Sequence, residues 1–383
     1  METVAPFKEV IDEIKEAGGD ALRFCFQCGL CDTVCPWNRV RQFSIRKIIR
    51  EATFGLTEID GEDIWRCTTC GRCPQQCPRG VKQIEVGVSL RRVAAEYEVF
   101  PSSVRSARTA RASLISEGNP LQGERNKRAD WATGLGVKTF TEGMEALYFV
   151  GCYLSYDPRM KKVATATASI LKSAGVEFGI LGSKESCCGE SIRKTGSEKV
   201  FKSLARENIK TFIDNGVKKI IVSSPHCYHT FKNEYPEFMV NFEVVHISQY
   251  LCELVNHGRL VLTGAYEKKV TYHDPCYLGR HNDIYDQPRD LLNKIPGLEM
   301  IEMADSRKES LCCGGGGGRI WMDTPMEERF SDIRLKQAVA VGAVELVTAC
   351  PYCITNFEES RLNLEYDDTI AVKDITEIIQ DVI

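Results

Sequence analysis

Residues 25–36 read CFQCGLCDTVCP and residues 67–78 read CTTCGRCPQQCP. Each stretch follows the pattern Cys-x-x-Cys-x-x-Cys-x-x-x-Cys-Pro, which binds [4Fe–4S] clusters. The first three thiolates lie on one tight loop, so their sulfurs and nearby backbone N–H groups can converge on one cube, and the proline then turns the chain. Zinc, the alternative metal, more often takes two separated Cys-x-x-Cys pairs. The two stretches therefore predict two [4Fe–4S] clusters.

The fourth cysteine of each run is expected to ligate the other cluster, as in two-cluster proteins. We therefore assign one cube to Cys25, Cys28, Cys31 and Cys77, and the other to Cys67, Cys70, Cys73 and Cys35. Ligands shared crosswise in this way would keep the two cubes close enough for electron transfer between them.

The segment between the two runs predicts a helix. Residues 39–56 place apolar side chains near helical spacing and turn Arg46, Lys47 and Arg50 outward. A helix that bridges two cluster loops resembles the α-helical ferredoxin domain better than the β-hairpin ferredoxin. The basic face is most simply a solvated surface, with docking of an acidic redox partner as the alternative. Upstream, residues 7–14 predict a short amphipathic helix that ends at Gly18-Gly19.

The composition is that of an ordinary globular protein. The 383 residues carry 49 Lys+Arg and 53 Asp+Glu, a formal charge of −4, with 43% hydrophobic and 27% charged residues. These values exclude a disordered or collagen-like chain and argue against a nucleic-acid binder. No apolar run reaches the ~18 residues of a spanning helix, and the N-terminus does not resemble a signal peptide. We expect a cytoplasmic protein in an anaerobic setting, without direct membrane insertion.

The number of cysteines is the unusual feature. Of 18 cysteines, only Cys252 stands apart from a spaced group, and we expect it to be a small core residue. In a reducing compartment such a density of thiols usually indicates metal.

From residue 146 the chain repeats itself at a nearly constant interval. The matching pairs are ALYFVGC (146–152) with KVTYHDPC (269–276), SCCGE (186–190) with LCCGG (311–315), and KKIIVSSPHC (218–227) with VELVTACPYC (344–353). Short apolar strands alternate with helical stretches in both halves, which predicts two duplicated α/β modules with parallel sheets. The cysteines then follow the carboxyl ends of strands, where open α/β sheets bind ligands.

The spacing within each half resembles the CCG (cysteine-rich) signature of the heterodisulfide reductases. The second half is complete, with Cys276, Cys312, Cys313, Cys350 and Cys353. The first has Cys152, Cys187, Cys188 and Cys227, with Ser224 where a cysteine is expected. The whole layout resembles the D subunit of heterodisulfide reductase, a fusion of the C and B subunits. Similar layouts occur in the glycolate oxidase iron–sulfur subunit, the third subunit of anaerobic glycerol-3-phosphate dehydrogenase, DsrK and the electron-transfer subunits of benzoyl-CoA reductase.

This resemblance divides the chain into four parts. They are an α-helical ferredoxin domain (1–100), a connector (101–145), a first CCG module (146–262) and a second, complete CCG module (263–383). The connector carries no chemical motif and is expected to be an ordered linker.

The resemblance implies that the complete module holds a noncubane [4Fe–4S] cluster, which cleaves a disulfide one electron at a time. Its five cysteines would then be the catalytic set. Five thiolates also exceed what one cube needs, so an iron core that uses them all must be opened. Gly314–Gly318 would allow close backbone approach, with N–H groups aimed at sulfide. This glycine run fits neither the dinucleotide fingerprint nor the phosphate loop.

The first module leaves several alternatives open. Its four cysteines, with or without Ser224 as an oxygen ligand, suit a regular [4Fe–4S] cluster, an altered noncubane cluster or zinc, and the site could also be empty. His226, His229 and His273 lie beside cysteine groups and could donate hydrogen bonds or protons. Taken singly, each of these histidines is more often a structural side chain, and Asp274 and Tyr277 are treated in the same way.

We expect an electron-transfer oxidoreductase subunit. Electrons would pass from the N-terminal clusters to the noncubane cluster and reduce a disulfide there. The alternative is a conduit inside a flavin-containing redox complex, without disulfide turnover of its own. The sequence has no nicotinamide or flavin fingerprint, so partners are expected: a flavoprotein or other redox subunits, or a membrane cytochrome, but no nucleic acid.

Overall fold

The computed structural model describes residues 6–56 and 58–383, and the chain divides into two compact units. The first unit runs to Thr109 and adds Ser191–Phe201 and Gly314–Phe330. The second unit comprises Ala110–Glu190, Lys202–Cys313 and Ser331–Ile383. The two segments that join the first unit are those that follow the Cys-Cys pairs in the sequence.

The N-terminal region is helical. Its helices are α1 (Lys8–Ile14), α2 (Leu30–Val34), α3 (Ile45–Phe54), α4 (Asp63–Arg66), α5 (Arg72–Gln75), α6 (Gln83–Glu96) and α7 (Arg105–Glu117). Helix α3 is the predicted bridging helix. The Ser44 hydroxyl accepts a hydrogen bond from the N–H of Lys47 at its start, and Gly55 ends it at φ 67°. The helix predicted upstream ends as expected, because Gly18 takes φ 101°.

The second unit begins with a five-stranded parallel sheet. Its strands are β1 (Lys138–Thr139), β2 (Ala146–Phe149), β3 (Phe178–Ile180), β4 (Lys219–Val222) and β5 (Glu243–His246), in the order β1-β3-β2-β4-β5. The associated helices are α8 (Cys152–Tyr156), α9 (Pro158–Ser173), α10 (Glu190–Lys194), α11 (Glu198–Asp214), α12 (Pro225–His229) and α13 (Ile247–Asn256). All of β2 is buried, as expected for a central strand covered on both faces.

A four-stranded parallel sheet follows. Its strands are β6 (Lys269–Tyr272), β7 (Glu299–Met300), β8 (Glu345–Thr348) and β9 (Ala371–Asp374), in the order β7-β6-β8-β9. The accompanying helices are α14 (Asp286–Asn293), α15 (Phe330–Ala340), α16 (Pro351–Asn363) and α17 (Ile375–Val382). This order repeats β3-β2-β4-β5 of the first sheet, so the duplication in sequence is a duplication of fold. The predicted pair of parallel-sheet modules is confirmed.

The first sheet has one strand more than the second. The extra strand is β1, which pairs with β3 through Lys138 and Gly179 and through Thr139 and Ile180. It lies in the region that we expected to be a connector, and a two-residue edge strand leaves no pattern in the sequence. Among the residues that the structure describes, no helix combines the length and the apolar character needed to cross a bilayer.

Candidate metal centres

The two cysteine runs of the first unit fold into loops of the same shape. In the first loop, Gln27 and Gly29 take φ of 65° and 86°; in the second, the equivalent Thr69 and Gly71 take 51° and 79°. The left-handed region is costly for Gln and Thr. Its recurrence at the equivalent positions of both runs shows that the two loops share one conformation.

The loop of the first run and the end of the second run line one cavity. The cysteines at this cavity are Cys25, Cys28, Cys31 and Cys77. Backbone and side-chain donors face their sulfurs: Val81 N–H lies 3.3 Å from Cys77 Sγ, and Gln27 Nε2 lies 3.3 Å from Cys25 Sγ. Cys28 is exposed, so this group of thiols reaches the surface.

The other four N-terminal cysteines form a second, more buried group. Burial raises the pKa of Cys35, and the neighbouring Cys70 and Cys67 raise it further. Burial likewise raises the pKa of Cys73, with Cys67, Cys70 and Cys35 adding to the effect. The pKa values of Cys35 and Cys73 are thus both raised by the other cysteines of the group, and metal binding requires the thiolate form. The structure thus brings together the two crosswise sets that we assigned from the sequence.

The glycine run after Cys313 packs inside the first unit. A Cβ atom on Gly316 would stand 2.4 Å from the Thr68 carbonyl oxygen, and one on Gly317 would stand 2.4 Å from that of Cys67. Gly318 has the same restriction, since its Cβ would lie 2.3 Å from Thr195 Cγ2. We expected these glycines to allow close backbone approach and to aim N–H groups at sulfide. Gly316 and Gly317 do allow two backbone segments to meet closely, and Gly318 makes room for the Thr195 side chain.

Arg91 connects the second cluster loop to the two later segments of this unit, Ser191–Phe201 and Gly314–Phe330. This fully buried guanidinium donates hydrogen bonds to four carbonyl oxygens, those of Cys67 (2.7 Å), Gly317 (2.7 Å), Ile64 (2.8 Å) and Lys194 (3.1 Å). The sequence alone did not single out Arg91. An arginine in the apolar row of a helix is a weak signal that did not stand out among the many arginines nearby.

The cysteines of the first module lie close together at the ends of its strands. Contacts between side chains run from Cys152 to Cys187, on to Cys188 and then to Cys227. The Ser224 hydroxyl hydrogen-bonds Cys227 and therefore also faces the group. Burial raises the pKa of Cys152, as for the second N-terminal group. Four thiols and a hydroxyl in contact fit a metal centre with sulfur ligands.

A buried ion pair supports this group from one side. Arg128 and Glu185 are 1% and 2% exposed, and Arg128 Nη2 lies 2.7 Å from Glu185 Oε1 and 3.5 Å from Cys152 Sγ. Glu185 also accepts hydrogen bonds from the N–H groups of Val150 and Gly151. Neither residue stands out in the sequence, and Arg128 lies in the region that we expected to be a connector without a chemical motif.

The five cysteines of the second module are all buried, between 1% and 6% exposed. The Sγ atoms of Cys313 and Cys353 are 3.2 Å apart. A ligand atom of His273 lies within 4.8 Å of both sulfurs. Burial and the Arg334 guanidinium hold the pKa of His273 well below its ordinary value, and its Nδ1 accepts a hydrogen bond from Arg334 Nε at 3.2 Å. This neutral ring therefore belongs to the group.

Asp274 and His229 have other polar and aromatic partners. Arg289 holds Asp274 through two hydrogen bonds of 2.6 and 2.9 Å, which is a structural role. His229 packs against His281 and Tyr277 and contacts Asn233.

Cys350 is linked to the first module through His226. Burial favours the neutral thiol, but hydrogen bonds from Cys353 and His226 outweigh it and lower the pKa of Cys350 to about 5. Burial also disfavours the charged imidazole, yet Glu190 and Cys350 raise the pKa of His226 to about 10. His226 Nδ1 lies 3.3 Å from Glu190 Oε2. His226 thus contacts both Glu190 of its own module and Cys350 of the second module. We expected His226 to be structural, and Glu190 was missed.

These donor sets fit iron–sulfur clusters. Thiolate is the ligand that clusters require, and the N–H groups near Cys77 and Cys25 are of the kind that stabilise them. Zinc is a poorer fit for the second module, because a tetrahedral ion uses four ligands and the module offers five buried cysteines and a buried imidazole.

Comparison with known families agrees with these groups. The cysteine-rich (CCG) domain matches residues 146–232 and again 270–358, and the 4Fe-4S dicluster domain matches residues 21–81. Among solved structures, the chain is similar to a hypothetical protein from Helicobacter pylori, with a TM-score of 0.54 over 97% of this chain and 72% of that one. At 12% identity this similarity concerns the fold alone.

Three curated relatives cover most of the chain. It is 39% identical to the probable iron-sulfur-binding oxidoreductase FadF of Bacillus subtilis and 36% identical to the EtfAB:quinone oxidoreductase of Syntrophomonas wolfei, in each case over 84% of this chain and 46% of the relative. The chain thus spans about half the length of these two proteins. It is 31% identical to the D subunit of the dihydromethanophenazine:CoB--CoM heterodisulfide reductase of Methanosarcina mazei, over 93% of this chain and 92% of that one.

Proposed function

The chain belongs to the family of the heterodisulfide reductase D subunit, and we propose that it relays electrons between a redox partner and an iron–sulfur centre in its second module. The observation that carries this proposal is the grouping of its cysteines. Eight form two groups in the N-terminal unit, and the five of the second module are all buried, with Cys313, Cys350 and Cys353 in contact. Clusters bound by thiolates supply one-electron carriers over a wide range of potentials.

We assign the N-terminal ligands crosswise, as expected from the sequence. The cavity shared by Cys77 with the first loop, and the mutual pKa effects of Cys35 with the second loop, both support this assignment. The second module would hold a noncubane [4Fe–4S] cluster on its five cysteines. The first module would hold a further metal centre on its four thiols, which are in contact with one another. Ser224 stands where the second module has a fifth cysteine.

Electrons are proposed to enter at the first N-terminal group. Cys28 is exposed there, and the side chains on either side of it, Phe26 and Leu30, are 58% and 46% exposed. An apolar surface around a redox centre suits brief docking of another protein. A flavoprotein is the class of partner that fits, because the chain needs a donor of single electrons and a relative is an EtfAB:quinone oxidoreductase.

Relay to a protein acceptor, the conduit alternative, is the activity that the geometry supports best. A disulfide substrate must reach the iron, whereas each cysteine of the second module is nearly excluded from solvent. Disulfide reduction is the second candidate. The complete five-cysteine motif and the similarity to the heterodisulfide reductase of Methanosarcina mazei favour it. In that reaction two electrons and two protons convert one disulfide into two thiols.

Stopped-flow absorption spectroscopy of the anaerobic full-length protein distinguishes electron relay from disulfide reduction. The protein is reduced by dithionite, freed of excess reductant and mixed with a mixed disulfide of two thiol coenzymes. Relay predicts that the reduced spectrum persists in the presence of the disulfide, and that a reduced flavoprotein reduces the oxidised protein. Fast reoxidation by the disulfide alone, with release of two thiols, would establish disulfide reduction instead.

The Cys312→Ala variant identifies the centre involved. We expect it to lose the paramagnetic signal of the second module and to keep both N-terminal signals. If every signal persists in this variant, the proposed centre in the second module is wrong.

A further inference from the structure

Three of the equivalent positions at which the duplicated modules differ lie together in the first module. Ser224 and His226 of the first module correspond to Cys350 and Tyr352 of the second, in the aligned SSPHC and ACPYC segments. Glu190, which follows the first Cys-Cys-Gly, corresponds to Gly315. The first module thus has one sulfur ligand fewer than the second. It also has an ionisable pair, His226 and Glu190, where the second module has a tyrosine and a glycine.

Each of these segments reaches toward the other module. The ring of His226 lies 4.1 Å from that of Tyr277, and the ring of Tyr352 lies 5.0 Å from that of Tyr153. Tyr153 and Tyr277 are themselves equivalent, since each follows the first cysteine of its module. The contact is therefore reciprocal, and it directs His226 of the first module at the cysteines of the second.

His226 is held on three sides. It is 4% exposed and lies between Tyr277 and Tyr352, whose ring centroids are 4.1 and 4.4 Å from its own. On a third side the carboxylate of Glu190, itself 1% exposed, stands 3.3 Å from Nδ1. These contacts fix the position of the ring. His226 also makes a side-chain hydrogen bond with Cys350.

We propose that His226, oriented by Glu190, is a positioning residue for the second module, where it donates a hydrogen bond to Cys350 and raises the midpoint potential of the centre that Cys350 helps to hold. Hydrogen bonds to cluster sulfurs set the potential, because they stabilise the more negative, reduced state. The first module, which has Ser224 in place of a fifth cysteine, thereby contributes a hydrogen-bond donor to the second module. This inference rests on the proposed function, which assigns the centre to Cys350.

The test is a redox titration of the anaerobic full-length protein, followed by electron paramagnetic resonance. In His226→Phe the second-module signal should shift to a more negative midpoint potential, while the N-terminal signals stay in place. His226→Gln should recover part of the shift, because its amide can still donate. His229→Gln is the matched control, with the same substitution at the next histidine of α12, and should leave all potentials unchanged.

Two results would overturn the inference alone. One is an unshifted second-module potential in His226→Phe, and the other is an equal shift in the His229→Gln control. If His226→Phe loses the N-terminal signals as well, it has not folded, and an unshifted potential in His226→Gln then overturns the inference. A wild-type protein without any second-module signal would instead overturn the proposed function, and this inference with it.

Discussion

Gly317 packs directly against Cys67, so closely that a Cβ atom on this glycine would stand 2.4 Å from the cysteine's carbonyl oxygen. The glycine belongs to the segment that follows the last Cys-Cys pair, and the cysteine opens the second cluster loop. No side chain on residue 317 would fit against the backbone of Cys67. The glycine run therefore has a role in packing at the N-terminal clusters, independent of any cluster in the second module.

Gly317→Ala should destabilise the N-terminal unit and lower its iron content. The clash with the Cys67 carbonyl should cost about 1–3 kcal/mol beyond the backbone strain of alanine at positive φ. Gly175→Ala is the matched control, because Gly175 has the same φ of 64° and a Cβ there meets no atom within 4 Å. Denaturant unfolding and iron analysis of both variants measure the difference. Equal losses of stability would mean that the contact does not matter.

Arg91→Met should be among the most destabilising substitutions in the N-terminal unit. It leaves four carbonyl groups without their charged donor, at a cost of about 3 kcal/mol or more. The exposed Arg50 of α3 provides the control, and Arg50→Met should change stability by less than about 0.5 kcal/mol. Thermal unfolding of the anaerobic proteins checks this. Similar midpoints for the two variants would contradict the role given to Arg91.

Much of the fold could be predicted because its signals are local. The two cysteine runs, the apolar strand before Cys152 and its repeat before Cys276 are each short and continuous in sequence, and the structure folds them as expected. The edge strand β1 could not be predicted. It pairs over only two residues, and its position depends on β3, which lies far along the chain.

In the candidate sites, the cysteines could be predicted from the sequence but the residues that support them could not. Cysteine spacing was enough to group the thiols, since metal ligands must converge. The supporting residues carry no such pattern: Arg128 and Glu190 act through partners distant in sequence, and the significance of His226 depends on contact with the other module. Tertiary packing alone distinguishes this histidine from His229.

Arg128→Met should destabilise the first module. Removing the guanidinium leaves Glu185 as an uncompensated buried charge, which costs about 3–5 kcal/mol. Arg125→Met is the control: its partner Glu207 lies at the surface, and exposed pairs contribute less than about 1 kcal/mol. The free energy of unfolding should therefore fall much more in Arg128→Met. The double variant with Glu185→Gln should recover part of the loss, and failure to do so would mean that the pair is not coupled.

Ser224→Cys should increase the iron bound by the first module. Ser224 already hydrogen-bonds Cys227, and its equivalent in the second module is Cys350, a proposed cluster ligand. A thiolate at this position would complete the five-cysteine motif. Iron and acid-labile sulfide per chain, measured after anaerobic purification in a Cys312→Ala background, report this site without the second-module cluster.

The neighbouring serine offers a matched control for this substitution. Ser223 is also buried, but its hydroxyl pairs with Tyr148 at 3.0 Å, so Ser223→Cys should leave the iron count unchanged. An equal iron count in Ser224→Cys and in the parent would mean that the missing thiolate does not limit this site. Equal gains in both variants would instead indicate that any added thiol binds iron nonspecifically. Only a gain confined to Ser224→Cys supports a first-module centre that is one ligand short of its neighbour.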